Sequence, residues 1–286
     1  MSAKLRANLT LVLVAIIWGS AFAAQRIAGR EGSVFLFNGI RFLLAALVLL
    51  PFARPWKNLE HSSLRWMFAA GLTLFVASAL QQAGLKYTTA GNAGFLTALY
   101  VVIVPLFLYL GWRERTHWRT LLAVCVAAVG AFLLSTGGKY RYMSGDALEV
   151  SAAIFWALHV VLLGKFAVKS DPLVFSVGQF AVCGLLNLMV GVFTESLSPA
   201  AAGLLVLPVL YTGIVSVGIG YTLQVWAQRK TPPAIAALIL SLEAVMAAVS
   251  GWLILNERLE ALQLTGCGLI MLAVVLAQIR ARAGAT

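Results

Sequence analysis

The feature that most constrains this chain is a series of apolar runs, each long enough to cross a lipid bilayer. A transmembrane helix needs about 20 apolar residues. We place ten such runs, at residues 8–28, 34–53, 65–85, 91–111, 117–136, 146–167, 172–193, 203–227, 233–254 and 263–280. Barrel strands would be about half as long and would alternate in polarity, so the runs predict helices. We therefore expect an all-α membrane protein with ten transmembrane helices.

Composition and charge fit a membrane protein rather than a nucleic-acid-binding one. Charged residues make up 11% of the chain, against about 25% in soluble domains. Fourteen bases occupy the N-terminus, every second loop and the C-terminus: Lys4, Arg6, Arg54, Lys57, Arg65, Arg113, Arg115, Arg119, Lys165, Lys169, Arg229, Lys230, Arg280 and Arg282. The opposite loops hold six, and Arg41 lies inside a span. The positive-inside rule predicts that both termini are cytoplasmic, which explains the basicity without a nucleic-acid partner.

The first span has features of a cleavable signal peptide. Lys4 and Arg6 precede an apolar run that leads to Ala21-Phe22-Ala23, a pattern that fits a small-residue cleavage site. Removal of residues 1–23 would leave nine spans and would take one member from the internal pairing described below. We therefore interpret this segment as a retained first helix.

The sequence carries no motif for a cofactor, a metal ion or a nucleotide. Cys125, Cys183 and Cys267 lie far apart inside apolar segments, where cysteine commonly acts as a small packing residue. Walker A, G-x-S-x-G and H-E-x-x-H patterns do not occur. We expect no cofactor, no metal site and no coupling to ATP through this chain.

The chain repeats itself at two related offsets. A shift of 138 residues pairs Ala15-Ile16 with Ala153-Ile154, Trp18 with Trp156, Phe37 with Phe175, Phe42 with Phe180, and Leu47 with Leu185. A shift of 143 pairs Gln81 with Gln224, Leu99 with Leu242, Leu110 with Leu253, and Glu114-Arg115 with Glu257-Arg258. Residues 1–140 and 141–286 are thus predicted to be two halves of five spans each. Because five is odd, the second half is inverted in the membrane, a plan typical of transporters with a substrate site near the midplane.

Polar side chains inside a span tend to face the bundle interior or water, because lipid offers them no partner. Glu243 lies ten residues into the ninth span, about 15 Å deep. It is a candidate to meet a substrate ammonium group or to carry a proton; the alternative is a neutral glutamate that locks helix contacts. His159 is a second candidate for proton coupling, although a hydrogen-bonded core histidine is the more common role.

Polar faces on spans three and eight, and a pair of tryptophans in the middle of spans one and six, complete the predicted pathway. Neutral amides and hydroxyls can hydrogen-bond a zwitterion, although bonds between helices are the alternative for any one glutamine. Tryptophan is unusual at mid-span, so Trp18 and Trp156 predict an aromatic wall for apolar substrate groups. The alternative is that the two rings fill space in the core. The remaining candidate lining residues are Trp18, Ser78, Gln81, Gln82, Asn92, Tyr100, Trp156, Tyr221 and Gln224. We expect Arg41, near the outer end of its span, to snorkel as an anchor or entrance charge.

Several motifs resemble the EamA family of the drug/metabolite transporter superfamily. Trp18-Gly19-Ser20-Ala21-Phe22, Arg41-Phe42-Leu43-Leu44-Ala45-Ala46, and the run from Phe95 through Tyr100 and Pro105 to Glu114-Arg115 are similar to a first EamA repeat. Ser241-Leu242-Glu243-Ala244-Val245 through Asn256-Glu257-Arg258 is similar to a second. Ala244 stands where the family often has proline. The sequence is most similar to YddG-type proteins, a resemblance that implies an amino-acid exporter of the bacterial inner membrane.

These observations predict a secondary transporter that exports small neutral metabolites, foremost amino acids including aromatic and hydrophobic ones, by alternating access. Spans one, three, four, six, eight and nine would line a central cavity, and spans five and ten would brace the outside. The alternatives are an exporter of lipophilic cations or drugs, and an intramembrane enzyme acting on lipid-linked substrates. The expected partners are a small-molecule substrate and the lipid bilayer; the sequence leaves the oligomeric state open, and a monomer is compatible with it.

Overall fold

The chain folds as a bundle of helices. The computed structural model describes residues 2–30, 33–53, 61–88, 90–196, 198–255 and 259–283. The helices are α1 Ala3–Arg30, α2 Phe35–Leu49, α3 His61–Gly84, α4 Ala90–Ala98, α5 Tyr100–Trp112, α6 Trp118–Thr136, α7 Asp146–Phe166, α8 Pro172–Thr194, α9 Pro199–Leu210, α10 Thr222–Gln228, α11 Pro233–Leu240, α12 Leu242–Leu255 and α13 Ala261–Ala283. A π-helix, Tyr211–Tyr221, joins α9 to α10, and 3₁₀ turns at Leu50–Phe52 and Ala167–Lys169 follow α2 and α7.

Nine helical segments in the described part of the chain are long and apolar enough to cross a membrane. They correspond to the first nine predicted spans. The tenth predicted span falls in α13, whose apolar stretch within the described residues, Ala261–Ala277, is shorter. The chain is therefore an all-helical, multi-pass membrane protein in the residues that the structure describes.

Three of the spans are interrupted near their middle. The fourth span breaks at Leu99, between α4 and α5, and the ninth breaks at Ser241, between α11 and α12. The eighth span widens into the π-helix after Pro208, whose missing N–H removes a helical hydrogen bond. At the break in the ninth span, the Ser241 hydroxyl donates to the carbonyl of Leu238 at 2.7 Å.

The surface of the bundle is apolar and its interior holds the polar side chains. Phe193 is 85% exposed and Leu207 is 75% exposed, which suits contact with lipid tails rather than water. Several polar residues are fully buried instead: Asn38, Gln82, Glu149, Gln179 and Gln224. This distribution is the reverse of a soluble protein's and fits a membrane-embedded chain.

Helices of the two halves make equivalent contacts. α2 packs against α8, and α6 packs against α13. α3 of the first half packs against α7 of the second half. In the equivalent contact, the π-helix and α10 of the second half pack against α1 of the first. In the same way, α4 and α5 contact α7, while α11 and α12 contact α1. The contacts thus follow the two halves that the sequence offsets define, which fits a duplicated domain.

Glycines bring helices of opposite halves into backbone contact. A Cβ atom on Gly39 of α2 would lie 2.8 Å from the backbone nitrogen of Leu188 in α8. A Cβ atom on Gly19 of α1 would lie 2.6 Å from the carbonyl oxygen of Glu243. Since real Cβ contacts are longer, only glycine permits these approaches, and the second one fixes the position of Glu243 against α1.

We expect Gly39→Ala to destabilise the protein, because its new methyl group would meet backbone atoms that cannot move aside. Overpacking of this kind typically costs about 1–3 kcal/mol, which lowers the unfolding midpoint by about 2–8 °C. Thermal unfolding in detergent, followed by loss of the monodisperse size-exclusion peak, measures the shift. The matched control is Gly268→Ala, where a Cβ atom meets nothing within 4 Å. Equal midpoints for the two variants would contradict the close approach of α2 and α8.

Candidate functional site

A cavity lies among the helices that contain the predicted pathway residues. Its lining comes from α1 to α5, α7, the π-helix, and α10 to α12, whereas none of its lining residues belongs to α6 or α13. The cavity has a volume of about 50 Å³. That is room for only a few waters. A substrate of amino-acid size therefore requires the cavity to widen.

Aromatic rings form one wall of the cavity. Trp18 lies with its ring centroid 4.5 Å from that of Tyr221, and Trp156 stacks on Tyr221 with the centroids 6.1 Å apart. The Trp18 indole donates a hydrogen bond to the carbonyl oxygen of Ser216 in the π-helix at 3.1 Å. Gly220 makes this possible, because a Cβ atom there would lie 2.7 Å from Trp18 Nε1. The wall is therefore shaped by the π-helix as much as by the two tryptophans.

The lining also contains polar side chains, with amide, hydroxyl and carboxyl groups. Gln81 donates to the hydroxyl of Thr97 at 3.0 Å. The same hydroxyl donates to a carboxyl oxygen of the fully buried Glu149 at 3.4 Å. Glu243, 5% exposed, and Tyr100 line the cavity from the two broken spans. The helix breaks at Leu99 and Ser241 thus come directly before the positions where these two side chains enter the cavity.

Several lining residues carry buried polar atoms that have no hydrogen-bond partner in the described part of the chain. These atoms are Arg41 Nε, the Tyr100 hydroxyl, Trp156 Nε1, and both Nε2 and Oε1 of Gln224. A buried polar atom without a partner carries a desolvation penalty, so such atoms in native proteins usually meet water or a ligand. The unpartnered atoms in the lining give the cavity hydrogen-bonding groups that a polar or amphipathic ligand can use.

His159 lines the cavity but is also held by the core. Its Nε2 atom lies 3.0 Å from Oε1 of Gln179 on α8, and its ring is edge-on to Tyr221. The arrangement agrees with the hydrogen-bonded core histidine that the sequence favoured, with one edge of the ring towards the site.

Eight of the predicted pathway residues line the cavity: Trp18, Gln81, Tyr100, Trp156, His159, Tyr221, Gln224 and Glu243. Ser78 and Gln82 are not among the residues that line it. The Ser78 hydroxyl bonds the carbonyl of Phe75, and Gln82 donates to the carbonyl of Gln25 on α1 at 3.0 Å. Residues spaced three and four apart cover an arc of about 100°, and only Gln81 in this arc reaches the cavity.

Two predicted features lie outside the described residues. The backbone of Asn92 belongs to α4, but its side chain is not described. The Asn256-Glu257-Arg258 motif also falls outside the described ranges.

The structure adds lining residues that the sequence did not single out: Phe22, Gln25, Arg41, Thr97, Val160, Ser216 and Leu240. The offsets of 138 and 143 residues relate four of these to one another, but none of the four pairs with a residue that the sequence had singled out, so the offsets alone could not have found them. Phe22 pairs with Val160, and Thr97 pairs with Leu240. Arg41 corrects an expectation: it is 4% exposed and faces the cavity rather than the membrane surface.

Two hydrogen bonds, each from a threonine hydroxyl to a side-chain oxygen, join the two halves of the chain. The Thr88 hydroxyl, after α3, donates to Asp146 at the start of α7 at 2.5 Å. The Thr231 hydroxyl, after α10, donates to the side-chain oxygen of Asn8 in α1 at 2.9 Å. Thr88 and Thr231 are 143 residues apart, and Asn8 and Asp146 are 138 apart. These two bonds, which we call the latches, therefore obey the same offsets as the cavity.

The Asp146 latch carries further donors. Asp146 also accepts hydrogen bonds from the Tyr140 hydroxyl at 2.7 Å and from the Met143 backbone N–H at 2.9 Å. Partial burial and the bond to Asp146 raise the pKa of Tyr140 to about 12. The hydroxyl therefore keeps its proton at any physiological pH and stays a donor to Asp146.

Comparison with known proteins decides the family. The sequence profile of the EamA-like transporter family matches residues 5–136 and again residues 143–278. The chain belongs to this family. The family prediction from the sequence motifs is therefore confirmed, and the EamA-like chain is a membrane transporter rather than an enzyme, which sets aside the intramembrane-enzyme alternative.

Relatives of this EamA-like protein include both exporters and transporters without a stated cargo. An uncharacterized transporter of Archaeoglobus fulgidus is 34% identical over 277 residues, covering 97% of this chain and 87% of the relative. The threonine/homoserine exporter RhtA of Escherichia coli K12 is 26% identical over 269 residues, covering 92% and 88%. A protein of known structure, 18% identical, matches with a TM-score of 0.78 over 98% of this chain and 99% of its own, which supports the fold.

We expect the cavity to be accessible to water when it widens, and a cysteine placed there tests this. In a background with Cys125, Cys183 and Cys267 replaced by alanine, Gln81→Cys should react with a small water-soluble thiol reagent in detergent. Leu74→Cys should not react under the same conditions, because Leu74 is fully buried on the same helix and lies away from the cavity. Mass spectrometry of the intact protein counts the adducts. Equal labelling of both positions, or of neither, would contradict a solvent-accessible site at Gln81.

Proposed function

We propose that this EamA-like protein is a secondary transporter that exports small neutral metabolites across the bacterial inner membrane. Amino acids, including aromatic and hydrophobic ones, are the foremost cargo. In this proposal ten transmembrane helices form two inverted five-helix repeats, residues 1–140 and 141–286, with both termini in the cytoplasm. The YddG-type resemblance of the sequence supports the same cargo and location.

The observation that carries the proposal is the pairing of residues around the cavity. Five offset-related pairs contribute both members to its lining: Trp18 with Trp156, Phe22 with Val160, Gln81 with Gln224, Thr97 with Leu240, and Tyr100 with Glu243. A cavity lined by equivalent positions of two repeats lies on the axis that relates them. This is where transporters of the inverted-repeat plan bind their substrate.

The two latches support the inverted arrangement. In inverted repeats, equivalent contacts lie at opposite membrane faces. The positive-inside rule predicts that the Thr231–Asn8 latch lies towards the cytoplasm and the Thr88–Asp146 latch towards the outside. One bond then closes each end of the pathway.

Alternating access follows from this arrangement. Because the cavity holds only a few waters, substrate entry requires helices to separate at one end. Release of one latch while the other remains would open the cavity to one face only. The breaks at Leu99 and Ser241, and the π-helix, place irregular backbone beside the cavity, where local rearrangement needs the fewest regular hydrogen bonds to change.

The lining supports an amphipathic cargo. Trp18, Trp156 and Tyr100 would contact its apolar part, while Gln81, Gln224 and Glu243 would meet its polar head. RhtA, a relative by sequence, is named an exporter of threonine and homoserine. We infer a cargo of the same chemical class, with the aromatic wall giving room for larger apolar side chains.

A second candidate cargo is a lipophilic cation. The observation in its favour is a buried carboxyl group, Glu243, in a cavity with an aromatic wall, since aromatic faces and a carboxylate both attract cations.

Flux measurements separate the two candidates. We expect purified protein in liposomes to take up labelled phenylalanine or threonine faster than protein-free liposomes, and to show no comparable uptake of a lipophilic cation such as tetraphenylphosphonium. Glu243→Gln should abolish any cation transport and spare part of the neutral amino-acid transport, because the amide keeps the shape and loses the charge. Cation uptake without amino-acid uptake would reverse the ranking, and no uptake of either would overturn the proposal.

Coupling to protons is a further expectation, with Glu243 and His159 as the candidate carriers. An imposed pH gradient should drive phenylalanine accumulation in the same liposomes if either group exchanges a proton during transport. Glu243→Gln and His159→Gln then show which group is required, since the coupled variant loses accumulation but keeps downhill exchange. Accumulation that ignores the gradient would mean facilitated diffusion.

The latches should control the two faces of the membrane independently. Loss of one net hydrogen bond of about 1 kcal/mol shifts an equilibrium by about fivefold. We expect Thr88→Val to increase labelling of Gln81→Cys from the outside, and Thr231→Val to increase it from the cytoplasmic side. An impermeant thiol reagent on right-side-out and inside-out vesicles measures each rate. Thr265→Val, at an exposed threonine of α13, is the matched control and should change neither rate; the same change from both latch variants would argue against opposite gates.

A further inference from the structure

Two side chains of opposite charge line the cavity, Arg41 from α2 and Glu243 from α12. Both are almost fully buried, at 4% and 5% exposure. The expected position of Arg41 at the membrane surface would have left Glu243 as the sole charge of the site. The cavity instead contains a cation and an acid, contributed by different halves of the chain.

Arg41 lies over aromatic rings, and no anionic side chain pairs with it among the described residues. Its guanidinium carbon lies 5.1 Å from the ring centroid of Phe37 and 5.2 Å from that of Phe42. Its Nε atom is buried and has no hydrogen-bond partner within the described residues. Phe37 and Phe42 are themselves fully buried, so they hold the guanidinium in place while its Nε donor stays available.

The two charges do not neutralise each other. The described residues contain an ion pair between Lys165 and Glu114, outside the cavity, and none between Arg41 and Glu243. Arg41, Glu243 and Tyr221 all line the same cavity, so the two side chains belong to one site. The arrangement keeps a donor group and an acceptor group apart across the same space.

Burying a charge without a partner carries a large desolvation penalty, which a bound counter-charge can remove. A ligand that removes the penalty at both positions must carry an anion and a cation on one small framework. We propose that the cavity recognises the zwitterionic head of a free α-amino acid, with Arg41 binding the carboxylate and Glu243 binding the ammonium group. The inference rests on the proposed function, since it names how the transported cargo is selected.

This assignment predicts selection against molecules that carry only one of the two charges. An amine without a carboxylate would leave Arg41 unpaired and be repelled by it, and a carboxylic acid without an amine would do the same at Glu243. A site built around buried polar groups rejects a ligand that leaves one of them unpaired far better than an apolar pocket rejects a missing methylene group. The aromatic wall of Trp18 and Trp156 then discriminates among side chains.

The test compares three ligands that share one apolar group: phenylalanine, phenethylamine, which lacks the carboxylate, and 3-phenylpropionate, which lacks the amine. On the unmodified protein in detergent, phenylalanine should raise the unfolding temperature and the two half-analogues should not. In liposomes, only phenylalanine should be transported. This comparison needs no variant, so it stands even if a substituted protein does not fold.

Variants then assign each half of the head group. Arg41→Gln should raise the KM for phenylalanine uptake by about 10- to 100-fold, the effect expected from losing a charged hydrogen bond. The same variant should allow phenethylamine to compete better with phenylalanine. Arg41→Lys should recover part of the loss, because it restores the charge without the forked donors. Arg119→Gln is the matched control, since Arg119 is a surface arginine that also lies over an aromatic ring, that of Trp118.

The outcomes separate this inference from the proposed function. If the unmodified protein transports neither phenylalanine nor threonine, the proposed function fails. If it transports phenylalanine but accepts phenethylamine equally well, or if Arg41→Gln leaves that preference unchanged, the proposed function stands and the role of Arg41 is overturned. A preference for phenylalanine that Arg41→Gln abolishes and Arg119→Gln preserves supports the inference.

Discussion

Lipid provides no hydrogen-bond partner, and this constraint organises the whole molecule. Backbone groups must be bonded within each helix, which gives long apolar spans, and polar side chains must turn away from the membrane. The fully buried Asn38, Gln179 and Gln224 and the exposed Phe193 and Leu207 are two results of that one requirement. The interior of the bundle is therefore the polar part of the protein, and a cavity there is lined by hydrogen-bonding and charged side chains.

Not every inward polar group finds a partner in the protein. Gln82 and Gln179 each make one hydrogen bond to another helix, while Gln82 Oε1 and Gln179 Nε2 have no partner among the described residues. Arg41, Tyr100 and Gln224 retain unpartnered polar atoms, and all three line the cavity. Unpartnered atoms therefore occur both in the cavity lining and away from it, so position at the cavity, and not the lack of a partner alone, distinguishes the candidate functional residues.

Because the EamA-like domain is duplicated, equivalent positions of the two halves contribute to the same structural features. The aromatic wall, the glutamine pair and the latches each have members from both halves, yet the members have diverged. Trp18 bonds the carbonyl of Ser216, whereas Nε1 of Trp156 has no partner in the described residues. The latch acceptor is an aspartate in one half and an asparagine in the other. A symmetric frame with asymmetric chemistry suits a carrier that must treat its two faces differently.

The sequence by itself determined the helical class, the positions of nine spans and the family, and it named eight of the fifteen residues that line the cavity. It could do so because run length and repeat spacing are properties of the linear chain. Only the tertiary structure decided which face each helix turns inward. Arg41 could have snorkelled and Ser78 could have lined the pathway, but close approaches such as Gly39 against Leu188 fix the rotation of α2, and the neighbours of α3 select Gln81. Helical periodicity gives the angle between side chains on one helix; the direction of the whole set depends on contacts between helices distant in sequence.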